Sequence, residues 1–237
     1  MTTTLHLPAF FSADTAVVED EAHHHLFKVK RLQTGERLRV IDGFGHARWA
    51  EIVGIDKRAA RLALGEAAPA NEPALAVELF VAAAKPERLA WLVEKATEIG
   101  VVALHFVACD REARSVERSQ LARLHRIAIS AAEQSGRSAI PRLAIAGTVS
   151  EELARATQGG LAVAVLDSAG AAAPPAIGEI GRCGLFVGPE GGWSPAERDR
   201  FRDLPVAAWS LGPTVLRVET AAVVAAGCVL CGGGFSR

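Results

Sequence analysis

The sequence predicts an α/β protein in which a small β-barrel precedes a larger domain built on a mostly parallel sheet. Three observations carry this expectation. Residues 36–64 run in short apolar segments broken by turn residues, whereas the chain after residue 74 alternates strand-like apolar runs with helical periodicity. Between them EAAPANEP (66–73) has neither period and holds Pro69 and Pro73, which marks a domain boundary. At 237 residues, 50% of them hydrophobic, the chain can bury one large core or two small ones, and the change of pattern favours two.

In chain order, RLRVIDG, ARWAEIVGID and AARLALG read as antiparallel strands, with Asp42, Gly43 and Gly45 in the turn between the first two. LAVELFVAAA (75–84) opens the second domain as a strand. Pro86 then starts a helix that sets Leu89, Leu92, Val93, Ala96 and Ile99 on one face and ends at Gly100. VALHFVAC is the next strand. The following helix carries Leu121, Leu124, Ile127, Ala128 and Ala131 on its apolar side, so its arginines fall mainly on the other. Apolar runs at 142–147, 161–167, 183–188 and 207–212 alternate with further helical segments, which implies a parallel sheet covered on both faces. Ligands of such sheets bind at the loops leaving the carboxyl ends of the strands.

Composition excludes several classes. No run reaches the apolar length of a membrane span, and MTTTLHLPAFFSADT lacks the basic and apolar regions of a signal peptide, so a cytoplasmic protein is expected. Four scattered cysteines do not make a disulfide framework, and Cys228 and Cys231, in an apolar helical stretch, are expected to pack. The consecutive His23, His24 and His25 cannot point at one ion from regular structure, and no metal is expected. There is no GxxxxGK[ST] and no GxSxG, and IDGFGHARW leads into a strand, as a hairpin turn does and a dinucleotide loop does not. A net charge of −1 gives no global sign of a polyanionic partner. Two local clusters do: Lys28, Lys30, Arg31, Arg37 and Arg39 against Glu36, and seven arginines between 111 and 142 against three glutamates. Such clusters are often only solvated faces.

Two loops concentrate the chemistry. In FVGPEGGWSPAE (186–197) a strand runs into Gly188, Gly191 and Gly192, which admit tight turns or close ligand approach, and Ser194, Pro195 and Glu197 then compose a helix start. In SLGPTVLRVETAA (210–222) another strand leads through Gly212 and Pro213 to Arg217, Glu219 and Thr220 at the head of an apolar helix. Two such loops at successive strand ends make a cofactor cleft with reactive groups beside it; Arg217 and Glu219 could equally be a surface ion pair.

These segments, with HHHLFKVKRLQTGERLRVIDG, WLVEKATEIGV and RIAISAAEQSGRSAIPRL, resemble the bacterial 16S ribosomal RNA uracil-N3 methyltransferase family, of the small subunit methyltransferase E type, in the SPOUT superfamily. The resemblance spans nearly the whole chain. It implies a PUA-like RNA-binding β-barrel over 1–70 and a SPOUT-type parallel sheet with a C-terminal trefoil knot over 74–237. It also implies a homodimer acting on 16S rRNA of the small ribosomal subunit. S-adenosyl-L-methionine would be held by Leu166, Val187, Gly188, Glu190, Gly191, Leu211, Gly212, Val215 and Leu216. Arg217, Glu219 and Thr220 would be catalytic, with Glu219 taking the uracil N3 proton and Arg217 stabilising the developing anion. His25, Lys28, Lys30, Arg31, Arg111, Gln134, Arg137 and Arg142 would contact RNA. Two places depart from the family pattern: Thr214 and the LHLPAFF segment stand where basic residues are usual, so an RNA contact is missing or supplied elsewhere, as by Arg137 or Arg142. Methylation of another RNA position or atom, and a non-catalytic RNA-binding assembly factor, are the rival readings.

Overall fold

The computed structural model describes residues 2–8, 13–112, 114–172 and 181–232, so Ala9, Phe10 and Phe11 of the LHLPAFF segment lie outside the described residues. The chain divides into two compact units, Met1–Glu72 with Ala132–Ile140, and Pro73–Ala131 with Pro141–Arg237.

The first unit is a five-stranded sheet, β1 (Thr4–His6), β2 (Thr15–Glu19), β3 (Arg37–Ile41), β4 (Ala47–Ile55) and β5 (Ala59–Ala67), in the order β1-β3-β4-β5-β2. Every strand sends a residue into one apolar cluster: Leu5, Val18, Leu38 and Val40, Ala50 and Ile52, Leu62 and Leu64. Both edge strands reach that cluster because the sheet curls around it. The antiparallel pairing expected over residues 36–64 is present in β3–β4–β5, and β1, outside that stretch, adds a strand parallel to β3. Asp42 closes the β3–β4 turn by accepting from the amides of Phe44 and His46. Burial pushes its carboxyl up, but these bonds and the one to His46 Nδ1 outweigh it and hold the group below its ordinary value. Between β2 and β3 a short helix, α1 (Asp20–His23), passes into a π-helical stretch, His24–Val29.

Residues 132–140 belong to this unit through a buried polar network. Arg39, 4% exposed, donates to the carbonyls of Pro69, Ala70 and Gly136 and to Ser138 Oγ. Glu72 accepts from the amides of Ser138 and Ala139 at 2.8 and 2.9 Å and pairs with Arg137 at 2.7 Å. Desolvation lowers the Arg39 pKa, against the attraction of Glu72.

Among the described residues the second unit carries six strands, all parallel: β6 (Ala76–Ala82), β7 (Ala103–Ala108), β8 (Arg142–Thr148), β9 (Ala162–Ala171), β10 (Arg182–Val187) and β11 (Val206–Trp209), ordered β11-β9-β10-β6-β7-β8. Its helices are α2 (Pro86–Ile99), α3 (Arg118–Ser135), which runs on into the first unit's residues, α4 (Val149–Gln158), α5 (Pro195–Arg202) and α6 (Val218–Gly232). Pro86 opens α2 and Gly100, at φ +105°, ends it, as the sequence predicts. One sheet face buries Phe80, Val107, Val165 and Phe186 under Val149 and Leu153 of α4. The other lies under α6, which packs against α2. Helix α6 buries Ala222, Ala225, Ala226 and Val229, but Cys228 and Cys231 are exposed, contrary to the expected packing. An all-apolar helix has no polar side to show which of its faces turns out. Among the described residues no helix is long and apolar enough to cross a membrane.

Candidate active site

Three neighbouring strands, β11, β9 and β10, build the site. Val187 ends β10 level with Leu166 of β9, and the loops leaving β10 and β11 close over that point. The result is a cavity of about 470 Å³, within the size range of small-molecule sites. Leu166, Asp167 and Ser168 form one wall. Val187 to Glu190, Gly192 and Trp193 form a second, and Trp209 to Val218 with Ala221 form the third.

The β10 loop is held by its own residues. Ser194 Oγ accepts from the Glu197 amide at 3.1 Å, and the Glu197 carboxylate accepts from the Ser194 amide at 2.7 Å, a reciprocal cap that starts α5 with Pro195 in its first turn. Ser194 Oγ also donates to Asp110 Oδ2 at 2.6 Å, and Glu197 Oε1 accepts from the Asp110 amide, so the loop after β7 is tied to the same point. Trp193 is 3% exposed, donates Nε1 to the Leu166 carbonyl at 2.8 Å, and stands edge-on to Phe201. A Cβ on Gly188 would meet its ring at 2.8 Å, so the first glycine of the loop is required by the indole itself. The β11 loop turns at Gly212, whose φ of +124° an L side chain rarely adopts.

Of the residues expected at a cofactor, Leu166, Val187, Gly188, Glu190, Leu211, Gly212, Val215 and Leu216 line the cavity. Gly191 does not; its Cα faces Arg111, whose carbonyl a Cβ would meet at 3.3 Å, and Gly192 takes the place in the wall. The three residues expected to be catalytic are divided. Arg217 lines the cavity, while Glu219 and Thr220 stand behind Val218 and Ala221 in the first turn of α6. The surface Arg217–Glu219 pair is replaced by another: Glu219, 6% exposed, faces Arg88 Nε at 3.6 Å, and its buried Oε2 has no hydrogen-bond partner among the described residues. Arg88, in the first turn of α2, also pairs with Glu190 of the β10 loop. No local pattern in KPERL marked it, because its partners lie more than a hundred residues away. Asp167, paired with Arg198 at 3.3 Å, was likewise missed.

Among the residues expected at RNA, His25, Lys28, Lys30, Arg31 and Gln134 are exposed in the first unit, and Arg111 and Arg142 in the second. Glu133, half-buried beside His25 and Lys30, accepts from the His6 amide, and desolvation pushes its carboxyl up despite those neighbours. The expectation for Arg137 is corrected: at 3% exposure, with its guanidinium on Glu72, it is a structural residue. Arg39 is withdrawn from the first basic cluster in the same way.

The family model described as an RNA methyltransferase domain matches residues 71–230, and the RNA methyltransferase PUA domain model matches residues 18–64. The ribosomal RNA small subunit methyltransferase E of Mycobacterium tuberculosis is 34% identical, over 90% of this chain and 85% of its own length. This chain belongs to that methyltransferase E family. The Bacillus subtilis member is 26% identical, over 90% of this chain and 88% of its own. The crystal structure of the Neisseria gonorrhoeae member bound to S-adenosyl methionine covers 97% of both chains with a TM-score of 0.82 at 26% identity. The methyltransferase E family thus accounts for the curled sheet followed by the parallel one.

Proposed function

We propose that this chain transfers a methyl group from S-adenosyl-L-methionine to N3 of a uridine in 16S rRNA of the small ribosomal subunit. The observation that carries the reading is the cavity where β9, β10 and β11 meet. Its lining combines apolar side chains (Leu166, Val187, Leu211, Leu216), backbone freed by glycine, and the carboxylates of Asp167 and Glu190. Apolar walls suit an adenine ring, backbone groups suit its edge, and carboxylates suit hydroxyl or ammonium groups. When bound there, S-adenosyl-L-methionine supplies a methyl group already activated by its sulfonium, so no metal is needed. The chain's own residues have to align the base and deal with its N3 proton. In this reading Arg217, which lines the cavity, stabilises an anionic base. Glu219 offers an acceptor oxygen that the fold leaves unmet, and Thr220 adjoins it.

Residues 1–70 serve as the PUA-like RNA-binding part and 74–237 as the methyltransferase part, with a trefoil knot through the loops around the cavity. A homodimer in the cytoplasm completes the reading, supported by the outward apolar side of α6 at Val224 and the two exposed cysteines. The test is methyl transfer from labelled S-adenosyl-L-methionine to small subunits from a strain lacking the endogenous activity, followed by nucleoside analysis. N3-methyluridine in 16S rRNA is the expected product. A different methylated nucleoside would move the target, and absence of cofactor binding would remove the enzymatic reading.

A further inference from the structure

Next to the cofactor cavity lies a second, shallow groove, lined by Arg111, Trp193, Pro195, Arg198, Asp199 and Arg202. Three guanidiniums face one carboxylate among these residues. Arg198 and Arg202 stand one turn apart on α5 and so share a face, while Arg111 comes from the loop after β7. Arg111 and Arg202 are only loosely engaged, while Arg198 is held by Asp167, whose side chain is 10% exposed. Arg202 pairs with Asp199 at 2.6 Å, but both side chains are more than two-thirds exposed, and exposed pairs of this kind contribute little. Arg198 reaches Asp167 at 3.3 Å with its own side chain 41% exposed, and Arg111 reaches the Gly191 carbonyl only at 3.4 Å. A ligand that offers two or more anionic oxygens replaces such contacts with charge-assisted, bidentate ones.

Two features tie the groove to the reaction. Trp193 and Arg198 line both concavities, so one indole and one guanidinium form the partition between them. The backbone of Arg111 also lies against Gly191, in the loop that walls the cofactor cavity. We propose that Arg111, Arg198 and Arg202 form a subsite for a backbone phosphodiester of the substrate RNA, next to the nucleotide whose base enters the cavity. The apolar floor of Trp193 and Pro195 takes the attached ribose, which needs no charged partner. This rests on the methyl-transfer reading for its substrate, but its contribution is sequence-independent anchoring, separable from chemistry.

The experiment measures binding of a fluorescein-labelled single-stranded RNA oligonucleotide by anisotropy over a range of salt, with S-adenosyl-L-methionine affinity determined in parallel by calorimetry. In the R111Q/R202Q double variant, RNA binding is expected to weaken about tenfold, with the slope of log affinity against log salt reduced by about 1.4, roughly 0.7 for each phosphate contact on a single strand. Cofactor affinity is expected to stay at the wild-type value. Arg200→Gln removes one positive charge on the exposed side of α5 outside the groove, and should leave the slope as in wild type. An unchanged slope in the double variant, or a drop of about 0.7 in Arg200→Gln, would overturn the subsite. If wild-type protein binds RNA with the expected slope difference but methylates no small subunit, the subsite stands and the methyl-transfer reading is what fails.

Discussion

Gly188→Ala tests how the cavity proposed for the cofactor is held open. The new Cβ would stand 2.8 Å from Trp193 Cε2 and 3.0 Å from two further atoms of the ring. The indole cannot retreat freely, because it is buried, set against Phe201, and bonded through Nε1 to the Leu166 carbonyl. Forcing a methyl into such packing costs about 1–3 kcal/mol, and losing the hydrogen bond to Leu166 adds about 1 kcal/mol. A destabilisation of about 2–4 kcal/mol is therefore expected from urea unfolding. Because Gly188, Trp193 and Leu166 all line the cavity, S-adenosyl-L-methionine affinity should fall about tenfold, or about 1.4 kcal/mol. The cause is separable by a double-mutant cycle. Trp193→Phe removes the colliding ring atoms, so Gly188→Ala should be tolerated far better in that background, with a coupling of about 1–2 kcal/mol. If the two substitutions add to within about 0.5 kcal/mol, the clash is not what makes Gly188 a glycine.

Three further outcomes are expected. Arg88→Ala should release Glu190 and leave the buried Glu219 carboxylate without its cation, lowering stability by about 1–3 kcal/mol by thermal or urea unfolding and weakening cofactor binding; Arg88→Lys should restore only part, since one ammonium cannot serve both carboxylates in the same geometry. Gly212→Ala places a side chain at φ +124° with open space around it, so the strain of about 1–3 kcal/mol should appear as a shifted β11 loop and weaker cofactor binding by calorimetry. Glu78 is held below its ordinary value, first by the hydrogen bond from His105 and against the effect of burial. The unfolded chain therefore takes up that proton more readily, so the stability from this group is full above the unfolded pKa and lost as pH falls through the folded one. Urea midpoints of Glu78→Gln should show a flatter acid limb than wild type, with no change in the cofactor site.

What could be read from the sequence was what is local. Pro86 and Gly100 delimit α2, and Ser194, Pro195 and Glu197 start α5, because caps act within one turn of chain. The two loops were visible because glycine and proline at a strand end are themselves the structural cause of the turn. Thr148 and Glu151 form the same reciprocal cap at α4 and carried the same signal, which went unused. Other features had no local trace. Strand β1 is three residues long and exists through its pairing with β3. Arg39 and Arg137 looked like surface charge because Glu72 and the carbonyls that receive them are contributed by distant segments. At Gly188 the sequence leaves open a tight turn or a close ligand approach, and nothing local shows that the space beside it is taken by Trp193, five residues on.

The division of the expected catalytic trio follows from the same kind of long-range pairing. A carboxylate as buried as Glu219 would ordinarily require several donors, yet among the described residues its cation, Arg88, is 3.6 Å away and Oε2 has no partner. Two features offset that deficit. Glu219 sits in the first turn of α6, where the free amides and the helix dipole favour a negative charge, and Arg88 adds its field from the first turn of α2. Arg88 is also the residue that holds Glu190 on the opposite wall of the cavity. The carboxylate left one acceptor short and the loop that shapes the cofactor site are therefore restrained by a single guanidinium, so a change at either carboxylate alters the charge balance felt by the other. Glu219→Gln and Arg217→Ala should accordingly separate. The first is expected to disturb both cofactor affinity and methyl transfer through Arg88. The second, on the cavity wall and outside that pairing, is expected to lower the transfer rate while leaving the fold and Glu190 in place. Wild-type transfer by both variants would remove the catalytic assignment of the pair.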